Sequence, residues 1–255
     1  MNKKTKFDLE DVLLTPEVTT TIQSRAKDVN PYYKDTRRVD NFYLPIYNAP
    51  MDRVISRDNE HVFISNRINP VQTRGLNPVF QDTIHSLSLV EIKDLFRTGR
   101  IDGKGRYLID MANGHMKSLL DFVKDFKKVY PDTFLMVGNI ANPETYKVLS
   151  DAGADAIRIN VGSGNNCSTS LNTGVGYGVA SLIVECREIS NGLSNPAQIV
   201  ADGGMRTYAD VIKALALGAD YVMIGGLFNK TIESAGDNYL FNCIKVSQKT
   251  AEKLF

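Results

Sequence analysis

A chain of 255 residues, 43% hydrophobic and 23% charged, is long enough for a large buried core and close to the roughly 250 residues of a (β/α)8 barrel. Its net charge of +1 provides no field for nucleic acid or an anionic membrane surface, and no apolar stretch reaches the ~20 residues of a membrane span or forms a signal-peptide core. Three widely spaced cysteines with no CxxC pair, Cys167, Cys186 and Cys243, argue against a disulfide framework or a zinc site and fit a reducing, cytoplasmic setting.

In chain order, Lys3-Lys4-Thr5-Lys6 reads as a solvated tail, after which short apolar runs alternate with helix-like segments. Eight runs read as strands: 43–47, 68–72, 83–87, 107–111, 134–137, 156–161, 198–201 and 221–224. Most are continuously apolar rather than alternating, the pattern of parallel strands covered on both faces. Leu119, Leu120, Val123, Phe126 and Val129 recur at helical spacing and predict a core-facing stripe. Asn142-Pro143-Glu144 supplies an N-cap and a proline at the first helical position, and Gly153 follows the last turn. Cys186 falls in a helix-like segment over 182–189 and reads as a buried, inert thiol, as does Cys243. Thr207-x-x-Asp210 resembles a capping box ahead of Val211, Ala214 and Leu215, and Gly218 closes that helix. Gly138 and Gly153-Ala154-Asp155 return as Gly203 and Gly218-Ala219-Asp220 at an offset of 65 residues, about two βα units. Without a linker or low-complexity segment, residues 1–255 read as one α/β domain, a (β/α)8 TIM barrel.

Chemistry on such a barrel belongs at the carboxyl ends of the strands, and phosphate often binds after strands seven and eight. Those turns read Asp202-Gly203-Gly204 and Gly225-Gly226. The glycines suit either a phosphate cradle of exposed N–H groups or merely tight βα turns, and Asp202 suits either ribose hydroxyls or a helix cap. After the sixth strand, Gly162-Ser163-Gly164-Asn165-Asn166-Cys167 puts a thiol in a glycine-rich loop, followed by Thr173-Gly174-Val175-Gly176-Tyr177. N–H donors lower a thiol from its usual pKa of about 8.5 and favour a covalent nucleophile. Thr169 and Glu233 are candidate proton-handling partners. Asp110 and Asn113, in Asp110-Met111-Ala112-Asn113-Gly114-His115, suit a second ligand across the mouth or an ordinary turn. The three histidines are scattered and support neither zinc ligation nor a Ser-His-Asp triad.

These residues resemble the IMP dehydrogenase and GMP reductase barrels nearly end to end. Phe7-Asp8-Leu9-Glu10-Asp11-Val12-Leu13-Leu14 is similar to the family's N-terminal signature, and Asn48-Ala49-Pro50-Met51-Asp52 to its turn after strand one. The Cys167 loop resembles its catalytic loop, and the two glycine turns its phosphate loops. The Asp110–His115 stretch, Val184-Glu185-Cys186 and Glu233-Ser234-Ala235-Gly236 lean towards the reductases. The resemblance implies that Cys167 attacks C2 of the guanine ring of GMP and that ammonia leaves with proton help from Thr169 and Glu233. NADPH then delivers hydride to C2, giving IMP. It further implies substrate contacts from Asn48, Met51, Asn165, Asp202, Gly203, Gly204, Gly225 and Gly226, and cofactor contacts from Asp110, Asn113, Gly114 and Arg74. Carbonyls of Gly162, Gly164 and Cys167 would bind potassium, and the assembly would be a homotetramer.

Several positions depart from the family pattern. Asn165 replaces a serine, Ser168-Thr169-Ser170 replaces Thr-Thr-Arg, and Gly178-Val179 replaces Pro-Gln. Gln72-Thr73-Arg74 stands where reductases carry a His-Lys-His run, and Phe255 falls before the family's base-recognition and flap segment. Competing readings are IMP dehydrogenase, an FMN-dependent barrel oxidoreductase, and a purine-nucleotide-binding barrel with reduced catalysis.

Overall fold

The computed structural model describes residues 5–22, 24, 43–161, 173–236, 238–241 and 244–247. Eight parallel strands form one sheet: β1 (Ile46–Asn48), β2 (Val71–Gln72), β3 (Ile84–Leu87), β4 (Arg106–Asp110), β5 (Phe134–Ile140), β6 (Ala156–Ile159), β7 (Gln198–Asp202) and β8 (Tyr221–Ile224). Hydrogen bonding runs in the order β2-β3-β4-β5-β6-β7-β8-β1. A parallel bridge between Tyr47 and Asn69 joins the two ends of that order. The protein is therefore a (β/α)8 TIM barrel. A separate antiparallel pair, β9 (Asn238–Phe241) and β10 (Ile244–Ser247), has no counterpart among the expected strands.

All eight expected strands are present, with shifted ends that have local causes. Pro45 and Pro70 lack an N–H to offer a ladder, so β1 and β2 begin only after them. Asn160 turns to a φ of 101° and ends β6 early. Side chains alternate between two apolar layers. Leu108, Met136, Ala156 and Val200 join Tyr47, Val71, Ile84 and Tyr221 in one cluster, the barrel interior. Their neighbours Tyr107, Ile109, Leu135, Val137, Ile157 and Ile199 face the other cluster, shared with the helices. Burial on both faces is why these strands read as unbroken apolar runs.

The shell among the described residues comprises α1 (Glu60–Ser65), α2 (Leu89–Arg97), α3 (Lys117–Val129), α4 (Pro143–Asp151), α5 (Val179–Asn191) and α6 (Tyr208–Ala216). Asn142 Oδ1 accepts from Glu144 N at 2.9 Å, with Pro143 at the first helical position of α4. Thr207 and Asp210 form the expected reciprocal box on α6. One expected core position fails: Val129 is 59% exposed at the end of α3, and Phe122 takes a buried place in the stripe. The β2–β3 connection has no helix. Its loop is held instead by the fully buried Glu60, whose carboxylate accepts from Phe80 N (2.9 Å), Thr83 Oγ1 (2.5 Å), Gln72 Nε2 (3.0 Å) and Val79 N (3.2 Å).

Candidate active site at the barrel mouth

The carboxyl ends of β4, β6 and β7 meet around one buried cation. Arg158, inside the barrel on β6, donates from Nη1 to Asp110 Oδ1 at 2.6 Å and from Nη2 to Asp202 Oδ2 at 2.7 Å. Asp110, Gly138 and Arg158 lie level in the β4–β5–β6 register, and a Cβ at Gly138 would come within 2.6 Å of Arg158 Cβ. Burial by itself would lower the Arg158 pKa. The Asp202 and Asp110 carboxylates outweigh that cost and hold it above its ordinary value.

Asparagines complete the network. Asn139 Nδ2 donates to Asp202 Oδ2 at 2.8 Å and to Asn160 O at 2.9 Å, while Asn160 Nδ2 donates to Asp202 O at 2.8 Å. Arg74 Nε stands 3.8 Å from Asp110 Oδ2, with its side chain 54% exposed. The result is a rigid, charged rim with a partly exposed cation on the β2 side. The sequence motifs mark both aspartates and Arg74 but miss Arg158, Asn139 and Asn160. The signal that could have found Arg158 is an arginine inside an apolar strand run, because a buried cation demands carboxylates nearby.

Other expected site residues divide by what their atoms already do. Asn48 is fully buried at the end of β1, donating from Nδ2 to Ala49 O and Val71 O and accepting from Val71 N. Met51 packs against Gly225, where a Cβ would come within 2.8 Å of Met51 Sδ and 3.2 Å of Ala49 Cβ, so the β1 and β8 turns approach closely there. Gly226 is exposed with open space around it. Gly203 and Gly204 follow β7 at φ of 81° and 79°. Asn113 is exposed and accepts from His115 N, and the buried Gly114 donates its N–H to Asn139 O at 2.8 Å.

Glu233 is exposed beyond the 3-10 turn Phe228–Lys230, and its carbonyl accepts from Asn59 Nδ2 at 2.7 Å. Cys167, Thr169, Asn165, Gly162 and Gly164, and with them the expected potassium ligands, lie outside the described residues. So does Cys243. Cys186 is buried in α5, and burial pushes its thiol up to about 12, which removes it as a nucleophile. No group of histidine, cysteine and carboxylate side chains suited to a metal ion occurs among the described residues. No helix there is long and apolar enough to cross a membrane.

Comparison with known proteins places the chain among relatives of one family. Residues 103–251 match the profile described as IMP dehydrogenase / GMP reductase domain. A GMP reductase of Streptococcus pneumoniae (strain Hungary19A-6) is 33% identical over 252 residues, covering 92% of this chain and 74% of that protein. GMP reductases of Streptococcus agalactiae serotype Ia and Staphylococcus carnosus are 34% and 30% identical, over 90% and 91% of this chain and 72% and 73% of their own lengths. With a profile match over more than half of its length and relatives 30–34% identical over at least 90% of it, the chain belongs to the IMP dehydrogenase / GMP reductase family.

Proposed function

We propose that this protein is a GMP reductase-type oxidoreductase, converting GMP to IMP and ammonia with NADPH. The similarity to proteins named GMP reductase over 92% of the chain carries this reading, and the Asp110–Arg158–Asp202 rim supports it. Asp202 Oδ2 is committed to Arg158 and Asn139, so Oδ1 is the oxygen for ribose hydroxyls. Gly203, Gly204, Gly225 and Gly226 offer N–H groups to the phosphate.

The β2 side of the mouth fits an anionic dinucleotide. Arg74 is an exposed cation, and Asn113 an exposed amide on the neighbouring β4–α3 turn. These two and Asp110 would hold NADPH, which when bound supplies the hydride that C2 of the purine receives. Cys167 bonds to C2 as a thiolate while the C2 amino group departs as ammonia. Glu233, through Thr169, hands over the proton that the leaving amine takes up, and the thiolate later leaves C2 to release IMP.

The deciding experiment is NADPH oxidation by the purified protein with GMP, beside Cys167→Ala and a reaction with IMP and NAD. GMP-dependent oxidation with ammonia release, abolished in Cys167→Ala, is the expected result. Oxidation of IMP with no GMP turnover would assign the chain to the dehydrogenase branch instead. GMP binding with no turnover in either direction would leave a nucleotide-binding barrel.

A further inference from the structure

The β1–α1 connection and the segment after β8 form a small unit with its own core. Val54, Ile55 and Phe63 are buried together, with Met51, Ile68 and Phe228 packed against them. Phe63 and Phe228 meet edge to face at 5.5 Å. Backbone bonds tie the two arms: Ala235 N donates to Val54 O and Gly236 N to Arg53 O, both at 3.3 Å.

Asn59 is the polar centre of this unit. It is buried just before α1, and its Oδ1 accepts from Ser56 N at 2.8 Å. Both Nδ2 hydrogens are spent on carbonyls, Val54 O at 2.9 Å and Glu233 O at 2.7 Å. One rigid side chain thus joins the β1–α1 turn to the main chain of Glu233, 174 residues later. Glu233 itself is exposed and lies on a loop, so its carboxylate has no packing of its own to hold it. Its backbone anchor sets where the carboxylate can reach.

We propose that Asn59 is a positioning residue for Glu233, fixing the stretch that carries this carboxylate so that it can serve the proton relay to the substrate's leaving amine. The proposal rests on the reductase reading and deepens it. Both amide hydrogens are satisfied only while Val54 O and Glu233 O keep their present separation. Asn59→Asp would face the two carbonyls with a carboxylate oxygen and push the segment away. Asn59→Ala would simply release it. Displacement of a reacting group by about 1 Å costs on the order of a hundredfold in rate, so a loosened anchor acts on turnover rather than on nucleotide binding.

The test uses the full chain and compares Asn59→Ala, Asn59→Asp, Glu233→Gln and the double variant Asn59→Ala with Glu233→Gln. Two readouts are taken: GMP-dependent NADPH oxidation across pH, and amide hydrogen exchange. The amides of Ala235 and Gly236 are expected to exchange about tenfold faster in Asn59→Ala while the barrel strands keep their protection. With that, kcat falls about tenfold or more while KM for GMP stays within about twofold. The limb of the pH profile that Glu233→Gln removes also flattens, and the double variant is no slower than Glu233→Gln alone.

Unchanged exchange at 235–236 overturns the anchor. Faster exchange with wild-type kcat and pH profile, or additive losses in the double variant, overturns the positioning role. Protection lost across all the strands with an unmoved pH profile marks Asn59 as structural and overturns it too. Absence of GMP turnover in the wild-type protein takes down the reductase reading and the role together, whereas wild-type turnover that Asn59→Ala leaves untouched removes the role alone.

Discussion

Arg158 is the residue on which the mouth depends, because each of its two Nη atoms holds a different carboxylate. A compact ammonium has no such fork, so Arg158→Lys is expected to keep only one partner and to lose most turnover. Arg158→Met leaves Asp202 with Asn139 and Asp110 with the more distant Arg74 and should cost about 3 kcal/mol in urea unfolding; a loss under about 1 kcal/mol would show that these remaining partners suffice. Two histidines bear on acid stability. His115 Nε2 accepts from Ala141 N at 3.0 Å and Nδ1 lies 2.9 Å from Thr145 Oγ1, so the ring is neutral with its proton on Nδ1. Burial lowers its pKa, and that of His85, below the ordinary 6.5. The unfolded chain therefore takes up protons first as pH falls. Stability from these groups is fully present above the unfolded value and lost as pH drops through the folded values. The urea midpoint should fall between about pH 7 and pH 5, and less so in His85→Gln with His115→Gln. An equal fall in that double variant would place the acid sensitivity elsewhere.

At the scale of elements, the 65-residue echo is a shared way of fastening helix to strand. Asp155 Oδ2 accepts from Leu135 N at the start of β5 and from Lys127 Nζ of α3. Asp220 Oδ2 accepts from Ile199 N at the start of β7, and its Oδ1 pairs with Arg187 of α5 at 2.6 Å. In both units a glycine two residues earlier, at φ of 96° or 120°, ends a helix beside the stem of that cation. Asp155→Ala and Asp220→Ala should each cost about 2 kcal/mol, since each strands a backbone N–H and takes a carboxylate from a cation that keeps only neutral acceptors. Their partners differ, so the losses should add in the double variant; strong non-additivity would mean that the two fastenings act as one. The units themselves were legible from sequence because apolar runs, N-caps and closing glycines are local features. Stripe membership was less so: Val129 has the right spacing, but α3 ends there and turns it outward, while Phe122 reaches the core.

For the whole molecule the weak point is the seam between β1 and β2, where a single bridge replaces a ladder. Asparagine side chains make up the difference. Asn48 exchanges two bonds with the backbone of Val71, and Asn69 Nδ2 donates to Leu44 O and Ile46 O. Asn48→Ala is expected to cost about 2–3 kcal/mol by leaving buried backbone groups unpaired, with faster exchange confined first to the amides of β1 and β2. Uniform exchange across all eight strands would show instead that the barrel opens only as a whole. The sequence by itself determined the eight barrel strands and their order, the strand-end aspartates and the family resemblance, but not the β9–β10 pair. Each feature it did determine is written in residues that lie next to one another in the chain. Tertiary structure alone decided which side chains share an atom: Arg158 with Asp110 and Asp202, Asn48 with the seam, Asn59 with Glu233. Those partners lie 48, 44, 23 and 174 residues apart. No local period records such a contact, because closing the sheet is what brings the strand ends to one mouth.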